Sequence, residues 1–237
     1  MREWWSMLFP PPPTCWGCQS TRSKSAKRKL CEPCQDLIRE IQNPICQVCG
    51  RAFKDSAMEL CLDCMRVLEE ERIVNRSAVQ YTDGVKQLFQ LFKYRGLESL
   101  SVPIGEWMAD VMIRHFSNLP IAMITYVPLH RDRLRERGFN QAELLAHVIA
   151  KKTDIFASHL LVRTLPTASQ SRRGRSERLR SLKQAFALNE SVDPLLFQKK
   201  SLILVDDVYT TGTTIRECAK VLKQAGAEQV YSITFAR

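Results

Sequence analysis

Eight of the nine cysteines fall between positions 15 and 64, in four Cys-x-x-Cys pairs: Cys15/Cys18, Cys31/Cys34, Cys46/Cys49 and Cys61/Cys64. No other feature restricts the fold of this chain so strongly. A two-residue spacer lets both thiolates of a pair turn toward one ion, and two pairs about a dozen residues apart supply the four soft ligands that zinc takes in a tetrahedron. The layout of residues 15–34 recurs in 46–64, which reads as two copies of one small zinc unit. Cys15, Cys18, Cys31 and Cys34 are assigned to one structural Zn²⁺, and Cys46, Cys49, Cys61 and Cys64 to a second. An interleaved pairing fits the spacing too, because sequence does not fix connectivity. The rival reading is a disulfide framework, which suits secreted chains; no signal peptide is recognisable, which favours metal. An all-cysteine shell implies no open coordination position, so the zinc is expected to support folding rather than catalysis. Lys24, Lys27, Arg28 and Lys29 in the first unit suggest contact with nucleic acid. The ninth cysteine, Cys218, lies in a helical pattern and reads as a small core residue.

The 237 residues accommodate one full domain and a small module, divided here as 1–68 (double zinc ribbon) and 69–237. Apolar stretches such as 121–127 are far shorter than the about 20 residues of a membrane-spanning helix. A cytoplasmic protein with no transmembrane segment is expected. The net charge of +10 is uneven: residues 129–183 carry 13 Lys/Arg against 5 Asp/Glu. Such a local excess points to an anionic partner, a phosphate-rich small molecule or nucleic acid.

Beyond residue 77, strand-like and helix-like stretches alternate. Strands are expected at 78–82, 122–127, 160–163, 201–205 and 230–235. A helix from Asp83 carries Val85, Leu88, Phe89 and Phe92 on one face, and Gly96 is placed to end it. A second helix covers 103–116, with Pro103 in its first turn. A third follows Asn140, with Glu143 completing a capping-box pattern and Leu144, Leu145, Val148 and Ile149 as its apolar stripe. The last begins at Thr214, buries Ile215, Cys218, Ala219, Leu222 and Ala225, and ends at Gly226. This alternation predicts an α/β fold with a parallel sheet. Residues 164–180, rich in arginine, read as a long exposed loop, and unstructured loops of that length are commonly functional.

The most informative segment runs from Leu202 to Thr214. A buried strand delivers Asp206 and Asp207 to its C-terminal end, where open α/β sheets bind ligands. A turn of hydroxyl residues with one glycine then opens a helix, whose N-terminal amides and dipole favour phosphate. Thr210, Thr211, Thr213 and Thr214 add hydroxyl donors, and Gly212 allows close backbone approach. A ligand with ribose hydroxyls for the carboxylates and a 5′-phosphate for the turn satisfies both halves. An ATPase strand would require a phosphate loop of the form G-x-x-x-x-G-K-[ST], and none of the nine glycines stands in one.

These residues resemble the phosphoribosyl pyrophosphate (PRPP) motif of type I phosphoribosyltransferases. With Leu8-Phe-Pro-Pro before the first cysteine pair, the stretch from Val127 to Gln141, Arg163-Thr-Leu-Pro-Thr, Gln170 and Ser181-Leu-Lys-Gln-Ala-Phe186, nearly the whole chain resembles the ComF family of competence and DNA-utilisation proteins. Ser181 stands where that family usually shows Asn. The resemblance implies a type I phosphoribosyltransferase-like domain after the zinc-ribbon module. Asp206 and Asp207 would hold the ribose hydroxyls, directly or through Mg²⁺ bound with PRPP, and Thr210, Thr211, Gly212, Thr213 and Thr214 would cradle the 5′-phosphate. Leu129, His130 and Arg131 would face the pyrophosphate. Residues 164–180 would cover the site, with Arg172, Arg173 and Arg175 neutralising charge, and Lys93 would approach it. Arg137 to Gln141 are read as partly structural. The resemblance also implies a glycosyltransferase chemistry, single-stranded DNA as a partner, and work beside a DNA-uptake helicase during natural transformation. A non-catalytic adaptor that binds single-stranded DNA through the zinc module and basic loops is the alternative. No glutaminase-like segment and no cysteine at position 2 are visible, which speaks against an amidotransferase fed by its own glutaminase.

Overall fold

The computed structural model describes residues 14–15, 18, 20–21, 30–55, 57–94, 97–165 and 185–237. Six strands are described: β1 (Asn75–Val79), β2 (Ile121–Tyr126), β3 (Leu161–Arg163), β4 (Phe186–Leu188), β5 (Ser201–Val208) and β6 (Gln229–Ala236). The helices are α1 (Glu32–Asp36), α2 (Leu62–Met65), α3 (Asp83–Tyr94), α4 (Ser101–Phe116), α5 (Arg131–Arg137), α6 (Gln141–Thr153) and α7 (Thr213–Gln224). Four strands form a parallel sheet in the order β1-β6-β5-β2, and β3 and β4 pair antiparallel beside it. No helix among the described residues is long and apolar enough to cross a membrane.

Strand β5 is central and buried on both faces, as its unbroken aliphatic run requires. Alternation sends Ile203 and Val205 into one core, with Ile124, Ile233 and Phe235. Helices α4 and α6 close that side. They cross closely at Gly105, where a Cβ would stand 2.6 Å from the Val148 side chain. Leu202 and Leu204 enter a second core with Ile215, Cys218, Ala219 and Leu222 of α7 and Phe186 of β4. Cys218 is thus the small core residue its pattern predicted.

The zinc units sit on the two sides of the edge strand β1. Cys15 and Leu30 of the first belong to the core under α4, whereas Cys46, Cys49, Cys61 and Cys64 of the second belong to the core under α7. The segment between the units covers the open edge. Ile41 N–H donates to Ala78 O at 3.0 Å, Gln80 N–H to Arg39 O at 2.8 Å, and Trp107 Nε1–H to the Glu40 carboxylate at 2.9 Å.

Several local expectations shift. The first strand begins at Asn75 rather than Ala78, because Asn75 and Ser77 are buried polar residues satisfied by neighbours rather than by water. The Asn75 amide donates to Cys49 O (3.3 Å) and to Ser77 Oγ (2.9 Å). Asn140 caps α6 as predicted, its Oδ1 accepting from Ala142 N–H at 3.1 Å, but Glu143 accepts from the Tyr126 hydroxyl at 2.8 Å instead of closing a capping box. Helix α5 and strand β4 had no clear signal in the sequence. Gly96 and most of the stretch 164–180 lie outside the described residues.

The α4–α6 contact leaves no room for a methyl group. Gly105→Ala is expected to destabilise the fold by about 1–3 kcal/mol through overpacking, despite alanine's better helix propensity. Chemical denaturation would read this; an unchanged or raised midpoint would contradict the packing.

Candidate functional site

The sulfur atoms of Cys15, Cys18, Cys31 and Cys34 lie within 4.8 Å of one another, as do those of Cys46, Cys49, Cys61 and Cys64. The sequential pairing is therefore the one the fold adopts. Cys18 and Cys31 sulfurs are 3.6 Å apart, as are those of Cys49 and Cys61. That separation is far beyond a disulfide bond and close to the roughly 3.8 Å edge of a tetrahedron with Zn–S bonds of about 2.3 Å. Each unit repeats the same local bonds. Cys31 N–H donates to Cys15 Sγ, as Cys61 N–H does to Cys46 Sγ, and short antiparallel bridges join Thr14 to Thr21 and Ile45 to Ala52. In the second unit burial pushes the Cys49 thiol up to about 11, and Cys64 higher. Despite its burial, backbone N–H groups of Cys49 and Cys61 draw Cys46 down to about 7. Four sulfurs so close need a cation to be held together as thiolates. The donor set fits structural zinc.

The second cluster of polar groups lies at the C-terminal end of the sheet. Tyr126 of β2 pairs with Val205 of β5, so the loop Val127–His130 leaves the sheet beside Asp206. Asp206 is partly buried; loss of water first, then the neighbouring Asp207 carboxylate, push it up to about 7. Its Oδ1 accepts the Asp207 N–H at 2.8 Å. Asp207 forms an ion pair with Lys93 of α3. Burial alone would lower the Lys93 ammonium, but Asp207 and Asp206 overrule it and hold it above its ordinary value. Arg163, at the end of β3, adds positive charge near Asp206 and lies 5.3 Å from the centre of the Phe186 ring.

Residues Tyr209 to Gly212 form the turn into α7. Gly212 has φ +72°, and a Cβ there would stand 2.1 Å from the Tyr209 hydroxyl, so the packed tyrosine as well as the left-handed backbone demands glycine. Arg216 donates from Nη1 to Thr211 O at 3.0 Å and from Nη2 to Thr213 Oγ1 at 3.3 Å. The Thr211 and Thr213 hydroxyls are 3.0 Å apart. The N–H groups of Thr213, Thr214 and Ile215 open the helix and have no acceptor within it. An anion above the turn would therefore meet backbone N–H groups, hydroxyls and a helix dipole.

Comparison with known proteins fits both halves. The family model described as a double zinc ribbon domain matches residues 4–65, and the one described as a phosphoribosyl transferase domain matches 148–237. Competence protein ComFC of Bacillus subtilis (strain 168) is 32% identical over 220 residues, covering 88% of this chain and 84% of its own. Competence protein F of Haemophilus influenzae is 30% identical over 219 residues, covering 90% and 92%. The chain belongs to the ComF family. Among solved structures, glutamine PRPP amidotransferase from B. subtilis, complexed with ADP and GMP, is 20% identical with a TM-score of 0.39, covering 58% of this chain and 26% of its own; so distant a likeness carries no weight.

Within this ComF-family fold, the sequence-named residues Asp206, Asp207, Thr210, Thr211, Gly212, Thr213, Thr214 and Lys93 come together at one sheet end. Leu129, His130 and Arg131 leave β2 at the same end. His130 there caps α5, its Nδ1 accepting the Asp132 N–H at 3.3 Å, which gives it a structural task. Arg172, Arg173 and Arg175, and Lys24, Lys27, Arg28 and Lys29 of the first zinc unit, lie outside the described residues. Four further groups belong to this neighbourhood: Arg163, Arg216, Tyr209 and Arg237. Arg163 and Tyr209 fall within stretches the sequence singled out, but none of the four was named for the site; each is identified by where the sheet and the turn bring it. Arg137 Nη1 donates to Gln141 Oε1 at 2.7 Å, and the Gln141 NH₂ is buried with no acceptor among the described residues.

The elevated Asp206 has a thermodynamic signature. Between about pH 4, the ordinary carboxylate value, and about pH 7, the folded chain keeps a proton that the unfolded chain gives up, so stability falls as pH rises through this window. Asn at 206 can still accept the Asp207 N–H but carries no charge. Asp206→Asn is expected to melt above the wild type at pH 8, with the advantage shrinking at pH 5. Thermal melts at the two pH values would show it, and a pH-independent difference would contradict a poorly solvated, costly carboxylate.

Proposed function

We propose that the β5–α7 turn binds the ribose and 5′-phosphate of PRPP, and that residues 69–237 form a phosphoribosyltransferase-like unit behind the ribbon module of residues 1–68. The observation that carries this reading is the pair of partly buried carboxylates Asp206 and Asp207, at the C-terminal end of β5 and next to a turn rich in N–H and hydroxyl donors. A carboxylate held against the cost of its own burial marks a site built for a ligand rather than for folding.

In this reading Asp206 and Asp207 accept hydrogen bonds from ribose hydroxyls, and Lys93 orients Asp207 through their ion pair. Thr210 to Thr214 surround the phosphate. Leu129 to Arg131, with Arg172 and Arg173, face the pyrophosphate. Mg²⁺ bound with PRPP would neutralise the pyrophosphate oxygens. The chemistry open to such a site is displacement at ribose C1: a bond from an acceptor nucleophile forms as the C1–O bond breaks, and the electron pair leaves with pyrophosphate. Positive charge gathers on the ribose ring and negative charge on the leaving group, and fixed cations answer the latter. No protein nucleophile is required.

The names of the relatives extend the proposal to the handling of DNA during natural transformation. Single-stranded DNA and a DNA-uptake helicase would be partners, and the cytoplasm the place of action.

Calorimetric titration of PRPP with Mg²⁺ into the zinc-loaded protein tests the site. Saturable binding is expected, weakened at least about tenfold in Asp207→Asn by loss of a charged hydrogen-bond acceptor. A folded protein carrying both zinc ions that takes up no PRPP would end this reading.

A further inference from the structure

We propose that Arg237 is a positioning residue that ties the second four-cysteine metal site to the phosphate turn, so that PRPP affinity depends on the integrity of that metal site. The inference rests on the PRPP reading for its ligand, but its geometry stands separately. Arg237 follows β6 and is fixed at its backbone: its N–H donates to Val79 O at 3.0 Å, and its own carbonyl accepts from Tyr81 N–H at 2.9 Å. Its guanidinium reaches in two directions. Nη1 donates to Thr210 O at 2.8 Å and to Tyr209 O at 3.4 Å, and the charge lies 4.7 Å from the centre of the Tyr209 ring. The same guanidinium lies near enough to Cys49 and Cys61 for their charges to act on it, and the Tyr209 ring beneath it packs in one core with all four cysteines. Four thiolates around Zn²⁺ carry a net charge of about −2, which a permanently charged, planar guanidinium is suited to meet.

The consequence for the turn follows from peptide geometry. In a trans peptide the C=O of one residue and the N–H of the next point in opposite directions. Arg237 draws the carbonyls of Tyr209 and Thr210 toward itself, and so turns the N–H groups of Thr210 and Thr211 away from its own charge. Arg216 does the same one residue later, through Thr211 O. Two arginines thus hold three consecutive carbonyls, and three consecutive N–H groups, of Thr210, Thr211 and Gly212, are set by them. Tyr209 completes the link. Its buried ring shares a core with all four cysteines of the second unit, and its hydroxyl fills the space beneath Gly212. The first unit is placed differently: Cys15 packs in the other core and Cys18 is exposed. Arg237 Nε is buried without an acceptor among the described residues, so the guanidinium is held by its other contacts at some cost.

The test uses the full-length chain with two zinc ions, as wild type, Arg237→Gln and Arg237→Lys. Zinc content and circular dichroism establish that each is folded and loaded. Calorimetry with Mg²⁺ and PRPP should show about tenfold weaker binding in both variants, since lysine keeps a charge but cannot lay a planar guanidinium over Tyr209 while holding two carbonyls. Stopped-flow extraction of zinc by 4-(2-pyridylazo)resorcinol gives the second readout. One of the two zinc phases should be faster in the variants, and PRPP should slow that phase in the wild type only, because coupling between two sites is reciprocal. A variant with two zinc ions and wild-type PRPP affinity overturns the proposal, as does a zinc phase that PRPP fails to slow in a wild type that binds it. Should Arg237→Gln not fold, Arg237→Lys decides. If wild type binds no PRPP, the parent reading falls, and zinc release decides the rest: unchanged rates refute the tie between Arg237 and the cluster, and one accelerated phase supports it.

Discussion

Four sulfur atoms drawn within 4.8 Å of one another are mutually repulsive as thiolates unless a cation sits among them, and in the second zinc unit that arrangement is part of the main core. A parallel sheet must be covered on both faces. Here one face has α4 and α6, whereas the other has α7, the β3–β4 pair and the second zinc unit. The metal cluster therefore serves in place of a further covering helix. Leu202, Leu204 and Val230 of the sheet and Tyr209, Ile215 and Cys218 of the turn and α7 share its core. What zinc holds together is thus the underside of the strand that ends in the two aspartates.

A row of polar residues runs across that same face. Asp206 of β5 stands in register with Thr234 of β6. The Thr234 and Ser77 hydroxyls are 2.7 Å apart, Ser77 Oγ accepts from the Asn75 amide at 2.9 Å, and that amide also reaches Cys49 O. Ser232 Oγ donates to Asn75 Oδ1 at 3.0 Å. Buried polar groups are tolerable when each finds a partner, and a satisfied network fixes one arrangement against others. The row sets the register of the edge strand β1 and joins the carboxylate end of the sheet to the backbone of the metal site.

Much of this was legible in the sequence because its signals are local. Cysteine spacing marked two zinc units and left only their pairing to the sulfur positions, and the aliphatic run before Asp206, with the hydroxyl turn after it, defined the central strand and the start of α7. The signal failed where the stabilising partner is distant in sequence. Asn75 and Ser77 look like loop residues until Thr234, more than 150 positions on, is brought beside them. Glu143 sits at capping-box spacing, yet the Tyr126 hydroxyl takes its carboxylate. Arg216, Arg237 and Tyr209 matter through what their side chains touch, and no pattern of residue types announces a carbonyl as the target. The glycine at 212 was legible as a turn residue, but its tightest constraint, the Tyr209 hydroxyl, belongs to the folded state alone.

The two zinc units begin from the same spacing and make the same local bonds, so their difference is tertiary. The segment between them runs along β1 and pairs with it through Ile41, Gln80 and Arg39. An uncovered edge strand invites pairing with another chain, and covering it with this linker has a second effect: it sends one unit to each side of the sheet. On the α4 side the first unit meets a core already closed by helices, and it keeps Cys18 at the surface. On the α7 side the second unit completes the cover that α7 and the β3–β4 pair begin, and all four of its cysteines are buried. The sequence repeats one module twice; the edge strand between the copies sets one against the core under α4 and builds the other into the core under α7.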